Sequence, residues 1–98
     1  MYILLNFGID GDLISVPKEI INEIYTYAKK FGEWILDKEN EHGYWLIENG
    51  EKKVCCYRGL AFVEWLNTNI LINSSKKASV IETNVKIEDY KDLLIINF

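Results

Sequence analysis

Apolar residues recur at helical spacing in two segments of the chain. Residues 20–31 carry one apolar stripe with lysines and glutamates on the opposite side, shortly after Pro17, a residue tolerated at a helix start. Residues 59–71 show a second helical pattern. Gly32 directly follows the first pattern, and glycine is typical of the residue after a helix end. Aromatic and β-branched residues come next, so we expect a strand over residues 33–37. Continuation of the helix through Gly32, at a cost of about 1 kcal/mol, is the alternative.

Two segments on either side of Asn49-Gly50 predict a β-hairpin. Residues 44–48 and 52–57 are rich in aromatic and β-branched side chains, and Asn-Gly is the dipeptide that most strongly favours a tight turn between strands. Residues 80–87 alternate between apolar and polar side chains, which predicts a strand with Ile81 and its alternate neighbours on the dry face. Asp10-Gly11-Asp12 consists of turn-forming residues, and we expect a turn there.

The two ends of the chain carry similar apolar segments. Residues 3–7 read ILLNF and residues 94–98 read LIINF. Short apolar runs are typical of strands buried on both faces, so we expect two equivalent central strands that lie next to each other. All the elements together predict a single α+β domain over residues 1–98. It has a mixed or antiparallel sheet of about five to six strands, with two amphipathic helices packed on one face.

Composition and charge narrow the classes of function. The 98 residues include eleven basic and fifteen acidic side chains, for a formal net charge of −4. This balance argues against nucleic acid as a partner, because phosphate binding needs a basic surface, and it suits a basic protein instead. No apolar stretch approaches the roughly 20 residues of a membrane span, and no basic segment precedes the first apolar run. We therefore expect a cytoplasmic protein without a membrane partner.

The residues that most often carry catalysis or bind metals are few and poorly spaced for either role. Cys55 and Cys56 are adjacent, so on a strand their side chains point to opposite faces and do not converge on one metal ion. His42 is the only histidine and lies among carboxylates, as expected for a solvated loop residue. The pattern of a calcium loop fails after Asp12, since Ile14 stands where a ligand is required. We expect no cofactor, no metal and no enzymatic activity, with a Cys–His enzyme as the less favoured alternative.

Acidic and large aromatic residues occur together in the middle of the chain, where a meander brings two loops close. Carboxylates around an aromatic anchor form a suitable surface for binding a basic protein. We predict that the partner-binding face consists of Asp37, Glu39, Glu41, Trp45, Glu48 and Glu51. The alternative is that the charged loops are simply solvated and that the tryptophans belong to the core.

The small size, the acidic balance, the Ile-, Asn- and Lys-rich composition and the acidic loops with aromatic residues extend over the whole chain. In these traits it resembles bacterial immunity proteins, which neutralise nuclease toxins such as those of contact-dependent inhibition systems. The resemblance implies a cytoplasmic inhibitor that covers a basic, RNA-binding toxin surface, with acidic side chains in place of phosphates. A self-associating structural or phage-encoded module is the main alternative, and it would form homo-oligomers.

Overall fold

A computed structural model describes all 98 residues and contains six strands and two α-helices. The strands are β1 (Tyr2–Asn6), β2 (Gly11–Ser15), β3 (Trp45–Glu48), β4 (Glu51–Cys55), β5 (Ser79–Val85) and β6 (Leu94–Asn97). The α-helices are α1 (Ile24–Ile35) and α2 (Gly59–Trp65), and a π-helical turn, Leu66–Ile70, continues α2. Two 3₁₀ turns, Lys18–Glu23 and Ile87–Tyr90, precede α1 and follow β5. The predicted α+β class is confirmed, and the six strands divide between a four-stranded mixed sheet and a separate hairpin.

The four-stranded sheet has the order β5-β2-β1-β6, with β1 and β6 parallel and the other pairs antiparallel. The similar ends of the chain lie side by side in this sheet, as expected, and Asn6 pairs with Asn97. The Asn6 side chain donates to Oδ1 of Asn97 at 2.8 Å. Just beyond them Phe7 and Phe98 stack with ring centroids 5.5 Å apart. The two strands therefore pair in the register that places their Asn-Phe dipeptides side by side.

The expectation that both terminal strands are central is wrong for β6, which lies at an edge of the sheet. The hydroxyl of Tyr25, on α1, donates to the carbonyl oxygen of Ile95 at 3.2 Å. A helix side chain thus satisfies one of the polar groups that an edge strand leaves unpaired, so an apolar strand is tolerated there.

Strand β2 begins at Gly11, so the turn expected at Asp10-Gly11-Asp12 is misplaced. The chain reverses over residues 7–10, where the N–H of Phe7 donates to the carbonyl oxygen of Asp10 at 3.0 Å. A Cβ atom at position 11 would lie 2.6 Å from the carbonyl oxygen of Leu5, so glycine is what allows the two strands to approach this closely. Asp12 consequently lies inside the sheet, where its side chain is fully buried.

Strand β5 forms where the alternating pattern predicts it, but its faces differ from the prediction. Val85 is buried as predicted, but Ile81, expected on the same dry face, is 49% exposed, and Val80, outside that face, is half-buried. The register between β2 and β5 shifts twice, around Leu13. Each shift in a ladder changes which side chains point inward, and this effect cannot be read from the alternation alone.

Both helices contribute to one core cluster of 17 buried residues together with one face of the sheet. In α1 the buried residues Ile24, Ala28 and Phe31 confirm the second part of the predicted apolar stripe. Its first part is not α-helical, because Ile20, although buried, lies in the 3₁₀ turn before α1. In α2 the side chains of Ala61, Phe62, Val63 and Trp65 are buried, whereas Leu60 and Glu64 are exposed. No helix in the structure combines the length and the apolar character needed to cross a bilayer.

Helix α1 continues through Gly32 to Ile35, so the strand expected over residues 33–37 is wrong. Ile35 is fully buried and Trp34 is half-buried on the core side of the helix. Burying one large apolar side chain contributes about 1.5–3 kcal/mol, which exceeds the roughly 1 kcal/mol that a glycine costs inside a helix. The tertiary contacts of the last turn therefore decide the local structure.

Replacing Gly32 by alanine is expected to raise the free energy of unfolding by about 0.5–1 kcal/mol. Position 32 is helical, and an added Cβ atom would meet no other atom within 4 Å. Equilibrium unfolding in denaturant measures the change. Gly50→Ala is the contrasting control, because Gly50 has a φ of +78° and alanine is strained there. A Gly32→Ala variant less stable than the wild type would contradict a continuous helix.

Candidate functional site

Strands β3 and β4 form a hairpin that is separate from the main sheet. Asn49 and Gly50 have φ values of +53° and +78°, as a type I′ turn requires, so the predicted hairpin turn is confirmed. A two-stranded sheet is only marginally stable by itself. The position of this hairpin therefore depends on contacts with the core and with the preceding loop, residues 36–44.

His42 and Trp45 join that loop to the hairpin. The Trp45 indole donates to the carbonyl oxygen of Asn40 at 2.9 Å, and its ring stacks on the His42 imidazole with centroids 5.1 Å apart. Nδ1 of His42 accepts from the N–H of Tyr44 at 3.2 Å, so Nε2 carries the proton and donates to the carbonyl oxygen of Ile35 at 2.7 Å. His42 is thus half-buried and bonded at both nitrogens, and the expectation of a solvated loop residue is wrong.

Lys52 of β4 also binds to this loop. Its ammonium group donates to the carbonyl oxygens of Lys38 and Asn40 and pairs with Glu41 at 2.6 Å. Nζ also lies 5.8 Å from the centroid of the Trp45 ring, within cation–π range. The loop and the hairpin therefore form one continuous surface over residues 36–55, which we call the acidic end.

The six predicted partner-binding residues all belong to the segment that we call the acidic end: Asp37, Glu39, Glu41, Trp45, Glu48 and Glu51. Lysines that lie among these carboxylates neutralise part of their charge. Glu41 is paired with Lys52, and Glu51 is paired with Lys53 at 2.8 Å. The other three carboxylates are exposed and form no ion pair.

The acidic end also exposes apolar side chains. Leu46 and Val54 pair across the two strands and are 54% and 52% exposed. Ile47 is exposed as well, on the opposite face of the hairpin from Leu46, because adjacent side chains on a strand alternate between faces. Apolar side chains clustered at a surface and surrounded by polar groups are typical of a protein-binding site. The Leu46–Val54 pair therefore gives one face of the hairpin an exposed apolar area next to charged residues.

A groove of about 550 Å³, which we call the aromatic groove, opens beside the acidic end. Trp34 lines it from α1, His42 and Tyr44 from the loop, and Glu64 and Trp65 from α2. The Tyr44 hydroxyl donates to Oε2 of Glu64 at 2.9 Å. Burial, together with this carboxylate, raises the pKa of the Tyr44 hydroxyl and keeps it protonated as a donor. No local pattern in the sequence predicts this groove, because its lining residues are distant along the chain.

The π-helical turn that follows α2 forms part of the groove lining. The Asn69 side chain donates to the carbonyl oxygen of Trp65 at 3.0 Å, the acceptor that the N–H of Asn69 would use in a regular α-helix. The N–H of Leu71 then bonds to the carbonyl oxygen of Leu66, five residues back, at 2.8 Å. Asn69 and Thr68 both face the groove as lining residues. Such π turns are rare and occur frequently at functional sites.

The two cysteines do not form an activated catalytic group with His42. The Cys55 thiol donates to the carbonyl oxygen of Ile35 at 3.4 Å, the same oxygen that His42 contacts. Burial and the neighbouring Cys56 raise the pKa of the Cys55 thiol, which disfavours the nucleophilic thiolate. Cys56, which follows β4, is exposed. No three His, Cys, Asp or Glu side chains are grouped so that they could hold a metal ion.

Asp12 is the only charged residue whose side chain is fully buried. It accepts from Nη2 of Arg58 at 2.8 Å, from the N–H of Gly59 at 2.8 Å and from the N–H of Asn84 at 3.2 Å. Arg58 also pairs with Asp10 at 2.8 Å. Burial acts to raise the pKa of Asp12, but the three hydrogen bonds and the Arg58 charge outweigh it and lower the pKa. The hydrogen bonds of this cluster, which no local sequence pattern predicts, link β2 and β5 to the start of α2.

No protein-family model matches the chain, and neither a curated protein nor a solved structure shows significant similarity to it. The fold and the site alone therefore define its class. It is an α+β domain with a four-stranded mixed sheet, an attached hairpin, and an aromatic groove next to an acidic, partly apolar surface.

Proposed function

We propose that this chain is a protein-binding inhibitor that attaches to a basic partner through its acidic end. In its most concrete form the proposal is an immunity protein that neutralises a nuclease-type toxin by covering the toxin's basic active surface. The main support for this proposal is that contacts of Lys52, His42 and Trp45 hold the loop and the hairpin together as one ordered surface. A surface that is already ordered loses less conformational entropy on binding, which favours tight association.

Within the acidic end, the contributions of the predicted residues should differ. Asp37, Glu39 and Glu48 have no lysine partner and offer their full charge to basic side chains. Glu41 and Glu51 are already paired with lysines, so part of their charge is neutralised before any partner arrives. The exposed apolar side chains of the hairpin supply contact area, while the carboxylates and the net charge of −4 attract and orient a basic partner.

Self-association is a second candidate function, favoured by the form of the hairpin. Each strand of this two-stranded sheet has one unpaired edge, and Leu46, Ile47 and Val54 are exposed. Free edges with exposed apolar side chains can pair with a second copy of the chain. Sedimentation at increasing protein concentration separates the two proposals. An inhibitor of another protein stays monomeric at concentrations where a self-associating module forms dimers or larger species.

The double variant Glu39→Gln/Glu48→Gln is expected to associate with the basic partner about three- to tenfold more slowly than the wild type, with little change in dissociation. Removing rim charges weakens the electrostatic attraction that accelerates encounter, and the difference should shrink at high salt. The test co-expresses the chain with the product of the neighbouring gene, purifies the complex, and follows association kinetics at low and high salt.

A matched control removes the same two charges from elsewhere on the molecule. Glu19→Gln/Glu23→Gln changes the turn before α1, and the 12 residues of that helix separate it from the acidic end by about 18 Å. Equal slowing by both double variants would mean that only net charge matters and would refute the acidic end as the contact. An unchanged rate in both would refute it as well.

A further inference from the structure

The aromatic groove combines two indole rings with a carboxylate that has no cationic partner. We infer that it binds the guanidinium group of an arginine side chain. That this arginine belongs to the basic partner rests on the function proposed above. The groove borders the acidic end through His42, whose ring lies between Trp45 and Trp34 at 5.1 Å from each centroid.

The two indoles of the groove are held in place by the core. The ring of Phe31, which is fully buried, lies 6.3 Å from Trp34 and 6.0 Å from Trp65 between centroids. The core therefore holds both rings in fixed positions along the groove, where Trp34 is half-buried and Trp65 is 8% exposed. The face of an indole attracts a cation through its electrostatic quadrupole, and it also stacks well against a flat guanidinium.

Glu64 supplies the charge that selects a cation. Its Oε2 accepts from the Tyr44 hydroxyl at 2.9 Å, which orients the carboxylate. The other oxygen, Oε1, forms no hydrogen bond within the protein, and no lysine or arginine lines the groove. The groove therefore repels anions and offers a charge-assisted acceptor to a ligand with N–H donors.

The other polar groups favour arginine over lysine. Thr68 and Asn69 line the groove from the π-helical turn. Because the amide nitrogen of Asn69 is used on the carbonyl oxygen of Trp65, its side-chain oxygen is left as an acceptor. A guanidinium has five donors in one plane and can reach several separated acceptors while stacked on a ring, whereas an ammonium group is a compact point charge.

The test titrates the wild-type chain with N-acetyl-arginine-N-methylamide and follows the three indole N–H signals by NMR. The expected result is a saturable shift of the Trp34 and Trp65 signals. The Trp45 indole is the internal reference, since it is bonded to the carbonyl oxygen of Asn40 and does not line the groove. The citrulline derivative, which has a similar planar end group without charge, is expected to cause no saturable shift. The lysine derivative is expected to bind more weakly than the arginine derivative.

Glu64→Gln is expected to weaken binding of the arginine derivative about tenfold, the loss typical of one charge-assisted hydrogen bond. Glu88→Gln, which removes the same charge from the exposed turn after β5, is the matched control and should leave binding unchanged. Glu64 is exposed, and unfolding curves check that both variants keep the fold. Equal binding of citrulline, a shift at Trp45 alone, or an unchanged affinity in Glu64→Gln would overturn the inference.

This titration needs no partner protein, so its outcome is separate from that of the proposed function. If the arginine derivative fails to bind, the groove inference falls while the acidic end can still contact a partner. In the complex, Glu64→Gln is expected to accelerate dissociation about tenfold, because a desolvated charge contact acts on the dissociation rate. An unchanged dissociation rate would show that the arginine does not come from the partner.

Discussion

Replacement of Phe31 by alanine is expected to lower the free energy of unfolding by about 3–5 kcal/mol, the usual cost of emptying a buried aromatic site. The Phe31 ring is fully buried, with five other aromatic rings between 5.3 and 6.3 Å away. These rings belong to Trp34, Tyr57, Phe62, Trp65 and Phe98. They come from both helices, from the segment after the hairpin and from the C-terminus, so one cavity weakens contacts among four parts of the fold.

Equilibrium unfolding in urea, followed by far-UV circular dichroism, measures this change. Phe31→Leu retains most of the volume and is expected to cost about 1–2 kcal/mol, so the two variants form a graded pair. Both variants should also move the indole N–H signals of Trp34 and Trp65 more than that of Trp45, because Phe31 contacts only the first two. A loss below about 1 kcal/mol in Phe31→Ala would show that this site is not the centre of the core.

The variant Asp12→Asn is expected to lose about 2–4 kcal/mol of stability at neutral pH. The carboxylate accepts from Arg58 and from the backbone N–H groups of Gly59 and Asn84. An amide of the same shape cannot accept all of these bonds, because one of its two terminal atoms is a donor. The side chain is fully buried, so water does not compensate for the loss.

The same residue predicts how stability depends on pH. The pKa of Asp12 is lowered in the folded chain, so the folded state binds this proton less readily than the unfolded state does. The stabilisation is therefore complete above the unfolded pKa of about 3.9 and is lost as the pH falls through the lower, folded value. The difference in stability between the wild type and Asp12→Asn should be constant above about pH 5 and should shrink on acidification below about pH 4.

Asp10→Asn is the matched control for this experiment. Asp10 forms an equally short contact with Arg58, but its side chain is 32% exposed, so its loss is expected to cost no more than about 1 kcal/mol. Urea unfolding of the wild type and both variants across this pH range supplies the comparison. A stability difference for Asp12→Asn that does not change between about pH 5 and pH 2 would contradict the assignment of the buried ionised carboxylate.

The candidate site divides into a part that the sequence predicted and a part that it did not. The carboxylates and Trp45 of the acidic end lie within residues 37–51, so their proximity follows from one loop and one hairpin. The aromatic groove joins Trp34 and Tyr44 to Glu64 and Trp65, which are up to about 30 positions apart in the chain. No local pattern connects these residues. The hydrogen bond between Tyr44 and Glu64 exists only because α2 packs against α1 and the loop.

The environments of individual polar residues were equally impossible to predict from the sequence. The sequence predicts a solvated His42, but hydrogen bonds at both of its ring nitrogens and contacts with two neighbouring indoles hold the ring in place. Asp12 was expected in a turn, yet the sheet buries it beside Arg58, 46 positions away. A polar side chain satisfied by distant partners leaves no periodic signal in the sequence, because its environment comes from other parts of the chain.

The sequence by itself determined the features that its local patterns and its two similar terminal segments carry. The apolar stripe of α1 follows from helical spacing, the hairpin follows from the positive φ that Asn49-Gly50 accepts, and the matching ends form adjacent strands with Asn6 opposite Asn97. Only the tertiary structure decided where α1 ends, which face of β5 is buried and how the groove is assembled. In the first two cases packing against distant residues outweighs the local preference of Gly32 or of an alternating strand, and the groove has no local pattern that could predict it.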